Sequence, residues 1–275
     1  MKKIAILFVF ISLILQFSCK KDIPVTDNDT QSVIDNINAD CTVQSIFSIV
    51  NSYADSYFGE KGTNIDSNVI VSMAPLFPLD SFPKTMIIDY CNGVNCADGK
   101  TRKGKIIAVL NDKWIIEENS SNLTANVTTN NFFENNVQIF GSFSILFNGV
   151  IDSIPSFIVT TSEAKLVLEN GKSCHWNSVN TTNWLSGFQT INDLSDDIFL
   201  FSGQNVGINC DGKGYESNIL SSLKFDNTCL NGTITQGKLE LIPQDISKRI
   251  IDFGTGECDR KATVTINGVS VEIGF

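Results

Sequence analysis

Thr263-Val264-Thr265-Ile266-Asn267-Gly268-Val269-Ser270-Val271-Glu272-Ile273 alternates polar and apolar residues on both sides of an Asn-Gly pair. A period of two puts every second side chain on one face of a strand. Asn-Gly supplies the positive φ angles that a tight hairpin needs. The stretch therefore predicts two antiparallel strands joined by a two-residue turn.

Working back from it, the same period recurs in parts of Ser156–Leu168, Asn122–Asn130 and Val137–Leu146. Turn signals stand between such runs at Asn111-Asp112, Asn135-Asn136, Asn148-Gly149, Asn170-Gly171 and Asp211-Gly212. About a dozen short strands at this spacing describe an antiparallel barrel or sandwich. No strand–helix–strand alternation appears, which excludes a parallel α/β sheet. A partial repeat joins the two ends of the β region. Ile87-Ile88-Asp89-Tyr90-Cys91-Asn92-Gly93-Val94-Asn95-Cys96 is similar to Ile250-Ile251-Asp252-Phe253-Gly254-Thr255-Gly256-Glu257-Cys258. Duplicated halves and shared turn chemistry both account for it.

Ahead of the strands the period changes. Val33, Ile34, Ile37, Cys41, Ile46, Phe47, Val50 and Tyr53 recur every three or four residues. That predicts a helix over about residues 30–57 with one apolar stripe against a core. Asp29 or Thr30 would cap its start, Gly59 follows its end, and Thr42-Val43 is a place where it could break. The expected fold is mainly β. The N-terminal helix packs on a curved antiparallel meander, as an open barrel or half-barrel with the helix across its concave face. A β-sandwich is the alternative. In the first arrangement the space under the helix would take an apolar ligand unless Phe and Ile side chains fill it.

The first residues carry an address. Lys2 and Lys3 precede an apolar run from Ile4 to Phe17 that ends in Gln16-Phe17-Ser18-Cys19. A charged start and a short apolar run make a signal peptide, too short for a comfortable membrane span. Gln16-Phe17-Ser18-Cys19 resembles the lipobox of bacterial lipoproteins, although Gln16 departs from the usual aliphatic residue, and Ser18-Cys19-Lys20-Lys21-Asp22 resembles the start of many Bacteroidota lipoproteins. The resemblance implies cleavage before Cys19 and acylation of that cysteine. Several acyl chains anchor stably where one does not. The expected organisation is a signal peptide over 1–18, a lipidated tether over 19–30, and one helix-plus-β domain over 31–275.

The whole chain has 20 basic and 30 acidic side chains and a formal charge of −10. Lys2 and Lys3 leave with the signal peptide and no acid does, so the mature chain has 18 basic and 30 acidic residues, a net −12. Such a balance argues against a nucleic-acid partner, which needs a basic face. The few charges are expected on solvent-facing strands and loops. No later stretch is apolar over 18 residues, the length at which a run reads as membrane-spanning.

Phe82 to Trp114, Val127 to Gly141, Asp252-Phe253-Gly254-Thr255-Gly256-Glu257-Cys258 and Ala262 to Gly268 carry a family likeness. Together they resemble a Bacteroidota family of all-β lipoproteins, and the likeness covers most of the mature chain. It implies the fold and an outer-membrane location, periplasmic or surface-facing. No established activity comes with it. Cys91, Cys174 and Cys210 look like additions to the family pattern.

Besides Cys19 there are seven cysteines, an odd number, in a compartment that favours disulfides. Cys229 and Cys258 flank adjacent predicted strands and are the favoured pair. Cys91 and Cys96 share a loop and could close it. Cys174–Cys210 would tie the strand after Asn170-Gly171 to the turn at Asp211-Gly212. Cys41 lies on the helix stripe as a buried thiol. These spacings match no zinc-ribbon pair, and no metal or other cofactor is expected.

Catalytic signals are weak. The single histidine, His175, sits beside Cys174 on a predicted strand, where neighbours point to opposite faces. Glu117-Glu118, read as strand, is disqualified as an acid pair for the same reason. Asp89, Asp98, Asp252 and Asp259 flank the repeated cysteine loops, and Asp211 lies in a turn. They could offer calcium ligands, but Asp also simply makes turns. Trp114, Trp176, Trp184, Tyr215 and the phenylalanines could stack on sugars or peptides if exposed. The expectation is a non-catalytic, lipid-anchored binding or adhesion module with a glycan, peptide or lipid ligand. A structural partner in an outer-membrane complex and an acid-pair hydrolase are the alternatives.

Overall fold

The computed structural model describes residues 27–58, 68–78, 80–120, 122–190 and 193–275, with side chains from Thr30 onward. Cys19, the signal peptide and Gly59 lie outside the described residues. One helix, α1 (Asp27–Phe58), precedes β1 (Ile70–Ala74), β2 (Lys84–Asp89), β3 (Val94–Asn95), β4 (Thr101–Leu110), β5 (Thr124–Glu134), β6 (Val137–Ile151) and β7 (Ile154–Val167). There follow β8 (Ser173–Ser186), β9 (Ile198–Ile208), β10 (Gly214–Asp226), β11 (Thr233–Pro243), β12 (Arg249–Thr255), β13 (Lys261–Ile266) and β14 (Val269–Gly274). A short 3-10 turn, Leu194–Asp196, leads into β9.

The strands form one 14-stranded antiparallel sheet whose order follows the chain; β3 alone leaves the path and pairs with β4. It is an antiparallel meander, as the period-two segments predict, and it does not close into a barrel. The deciding stretch pairs as expected: Ile266 sits opposite Val269, and Asn267 and Gly268 take φ of 51° and 81°. Asn135-Asn136 turns β5 into β6 in the same way, with φ of 47° and 67°. Asn148-Gly149 is a correction. It lies inside β6 as a bulge, where Phe147 faces Phe157 and Gly149 faces Ser156. The turn falls instead at Asp152-Ser153, which take φ of 51° and 66°. The two similar hairpins, β2–β4 and β12–β13, stand towards opposite ends of the sheet.

α1 departs most from its expectation. It begins at Asp27, so residues 27–30 of the expected tether are helical, and it runs unbroken through Thr42-Val43. Every residue from Thr42 to Ala54 is buried, more than three turns of helix. There is no single stripe, because the curled sheet meets the helix on several sides. Phe47 packs edge-on against Phe157 of β7 and Phe199 of β9, with centroids 4.9 and 5.2 Å apart. Asn51 accepts from the indole of Trp114 at 3.0 Å, and Tyr53 stacks edge-on with Tyr90. On another side Asn36 accepts from Ser217 of β10. Among the described residues, the space under the helix is thus occupied by side chains, aromatic and aliphatic around Phe47 and polar around Asn36 and Ser45, which leaves no apolar hollow there for the expected ligand. Trp114, Trp176, Trp184 and Tyr215 are all core residues, so none is free to stack on an external ligand.

Candidate functional site

Charges enter the interior, contrary to the expectation that they stay on solvent-facing positions. In β4 and the turn before it, Lys100 and Arg102 share the alternation of the buried Ile106, Ala108 and Leu110. They therefore point inward. Arg102 grips Asp98 with two nitrogens, one at 3.0 Å, and its Nε donates to Glu134 at 2.9 Å. Lys100 donates to the other Glu134 oxygen at 2.9 Å. Ser45 of α1 donates to Glu134 at 2.6 Å, which ties the helix to this cluster. Burial alone would raise the Glu134 pKa. Lys100 and Arg102 outweigh it and pull the value down to about 2.

Two other buried carboxyls, Asp197 and Asp40, have no cation beside them among the described residues. Asp197, just before β9, accepts from Ser48 at 2.6 Å and from the Trp184 indole at 3.0 Å. Burial drives its pKa up to about 8. Asp40 of α1 is pushed up to about 7 by burial, partly offset by the amide of Asn205 beside it. Neither lines any of the three hollows described next. They do not make the cleft with two facing acids that a hydrolase reading requires.

A trough of about 430 Å³ crosses the outer face of β7, β8, β9 and β10. Outward side chains of Thr160, Asn177, Val179, Gln204, Val206 and Asn218 line it, with Glu216 as its carboxylate. A second groove, about 470 Å³, passes over the middle of α1, between Leu166 and Leu168 on one side and Leu230 and Phe275 on the other. The third hollow, about 570 Å³, lies on the outer face between the β2–β4 loop and β5, around Cys91, Lys103, Lys105 and Phe133.

Of the expected disulfides, Cys229–Cys258 and Cys174–Cys210 are present. Cys91–Cys96 is not formed, which corrects that expectation. Cys91 sits in the left-handed region at φ 52°, and each sulfur faces a nearby backbone carbonyl, Asp89 O or Val94 O, rather than the other sulfur. Cys41 is only half-buried by surface area, but its thiol is enclosed, and burial pushes it up to about 12. It is therefore protonated and a poor nucleophile.

His175 is exposed on β8 between buried Cys174 and Trp176, so it shares no face with the cysteine. Glu117-Glu118 lies in the loop between β4 and β5, not on a strand. The loop aspartates are spoken for by other groups. Asp98 is in the ion cluster, Asp89 pairs with Lys105, Asp252 with Lys238, and Asp211 with Lys172. Asp259 accepts from the backbone of Lys261. These are turn-forming and pairing roles. Asp35, Cys174 and Cys210 come close together, but the two sulfurs are bonded to each other and unavailable to a metal.

The interior charge cluster and the lone acids are what the sequence reading missed. Lys100 and Arg102 did carry a signal, since they stand in phase with core positions. Asp40 carried a weaker one, with Asn36 and Gln44 one helical turn away on either side. Compared with protein-family models, curated proteins and solved structures, the chain matches none.

Proposed function

We propose that the mature chain is a lipid-anchored, non-catalytic binding module of the cell envelope, held at the outer membrane through Cys19. The trough across β7 to β10 is its binding surface, and a neutral glycan is the ligand. One observation carries this reading. The interior is packed around α1, and the trough combines hydroxyl and amide side chains with the aliphatic faces of Val179 and Val206. Sugar rings present hydroxyls at their rims and C–H groups on their faces, which suits such a lining. A single carboxylate, Glu216, leaves the trough nearly uncharged. The anchoring part rests on the lipobox-like Ser18-Cys19 and the apolar run before it.

The test uses the full chain expressed in a bacterial envelope. Cys19→Ala should move the protein out of the membrane fraction, and unchanged fractionation would remove the anchor. The purified lipoprotein, screened on an array of neutral polysaccharides, should retain at least one. Asn177→Ala with Gln204→Ala should weaken that retention about tenfold or more, which corresponds to about 1.4 kcal/mol. Equal retention by the variant would move the ligand elsewhere, and no retention of any glycan would favour the structural-partner reading.

A further inference from the structure

The trough on the outer face has a direction. Thr160 of β7 stands opposite Val179 of β8, Val179 opposite Gln204 of β9, and Gln204 opposite Asn218 of β10. A second outward row lies two residues along the strands, with Asn177 opposite Val206 and Val206 opposite Glu216. Both rows line the trough. Strands lie about 4.8 Å apart and two residues along a strand span about 7 Å, so the lining runs about 14 Å across the strands and about 7 Å along them. A chain-like ligand fits this shape by crossing the strands, and it meets a new pair of side chains at each one.

The pairs on the two central strands alternate. β8 reads Asn177-Ser178-Val179 and β9 reads Gln204-Asn205-Val206, in each case an amide, an inward residue and a valine. The strands are antiparallel and Ser178 sits opposite Asn205, so the second triplet runs reversed against the first. The amide therefore falls in one row on β8 and in the other row on β9, and the valines change sides with it. Asn177 Oδ1 accepts from the backbone N–H of Glu163 at 2.8 Å, which fixes that amide and leaves its own N–H groups to donate to a ligand.

Resting on the reading of the trough as a neutral-glycan site, we infer that its ligand is a straight, unbranched glycan lying across β7 to β10, with pyranose rings joined at opposite corners through equatorial oxygens. Such a chain advances by about one strand spacing per ring. Each ring is turned over relative to the one before, so the edge with neighbouring hydroxyls alternates between the two sides of the chain. That is the alternation of Asn177 and Gln204. An amide both donates to and accepts from a hydroxyl pair, and Val179 and Val206 pack on the C–H groups of the opposite edges. Four strands hold about four rings. An extended peptide advances about 3.3 Å per residue and falls out of step with the strands. An axial linkage curves the chain away from them.

The test is calorimetric titration of the purified lipoprotein with cello-, manno-, xylo- and chito-oligosaccharides, from disaccharide to hexasaccharide, beside the axially linked malto-oligosaccharides. At least one of the four equatorial series should bind, with affinity rising to about the tetrasaccharide and then levelling. The malto series should bind about tenfold more weakly or not at all. Gln204→Val with Val206→Gln keeps the composition of the trough but puts both amides in one row. It should weaken the best oligosaccharide about tenfold. If that variant fails to fold by circular dichroism, the length and linkage series still decide. Affinity that levels at the disaccharide, equal binding of the malto series, or wild-type affinity in the exchanged variant would overturn the inference and leave the trough as a glycan site. So would retention of other glycans on the polysaccharide array with none of the four series bound. No retention of any glycan would remove the trough reading itself, and this inference with it.

Discussion

Helix α1 meets charge on two sides, and the molecule treats the two sides oppositely. Around Ser45, the carboxylates of Asp98 and Glu134 are met by Lys100 and Arg102 at hydrogen-bond distance. Around Asp40 and Ser48, the carboxyls of Asp40 and Asp197 meet only hydroxyl, amide and indole groups. Both sides are enclosed, although Glu134 also borders the groove over α1, and each carries a disulfide near it: Cys229–Cys258 beside that groove, and Cys174–Cys210 beside Asp35. What differs is the neighbour: burial takes Asp197 up to about 8, whereas at Glu134 Lys100 and Arg102 outweigh burial and bring it down to about 2. Burial by itself does not say whether a carboxyl is charged.

The contrast breaks most visibly at Glu134. Glu134→Ala leaves Lys100 and Arg102 enclosed with one acid between them. Removing one partner of a buried pair costs about 3–5 kcal/mol. A urea midpoint at pH 7 within error of wild type would mean that the cluster is solvated in solution.

A smaller effect separates the two sides by sign. Glu134 has a lowered folded pKa, so its contribution is complete above its unfolded value near 4.5 and is lost as pH falls towards about 2. Asp197 has a raised one. The folded chain keeps a proton that the unfolded chain has lost, so stability falls as pH rises from about 4 to about 8. Near pH 7 this slope is about 1 kcal/mol per pH unit. Asp197→Asn should remove its share of the slope, leaving only that of Asp40, so that the chain is relatively more stable at pH 8 than wild type. Parallel stability curves for the two proteins between pH 6 and 8 would show that Asp197 is already ionised.

The smallest effect is at the surface. Asp80 pairs with Lys113 at 2.7 Å, but both side chains are largely in solvent. Asp80→Ala should leave the unfolding midpoint where it is, and a shift comparable to that of Glu134→Ala would show that distance, not enclosure, sets the energetics.

Much of the architecture was legible. The alternation in Thr263–Ile273 and the Asn-Gly and Asn-Asn pairs carried the antiparallel meander, because a period of two and a positive φ leave the backbone few options. Asn148-Gly149 misled, since the same residue types also serve a bulge within a strand. The helix was legible as a helix but not as an enclosed one. Its polar residues read as a solvent face, and only a sheet that curls around it turns Ser45, Ser48 and Asp40 inward. The favoured Cys229–Cys258 pair followed from neighbouring strands. Cys91 and Cys96 did not pair, because closeness in sequence says nothing about where each sulfur points.

By itself, the sequence determined the strand and turn pattern, the helix, and an N-terminal stretch that resembles a lipoprotein signal. These are local properties, written in periodicity and in the φ preferences of a few residues. The tertiary structure alone decided which charges are paired, which acids hold protons, and that the concave side of the sheet is filled while troughs remain outside. Those outcomes depend on residues such as Ser45 and Glu134, 89 positions apart in the chain, meeting at 2.6 Å.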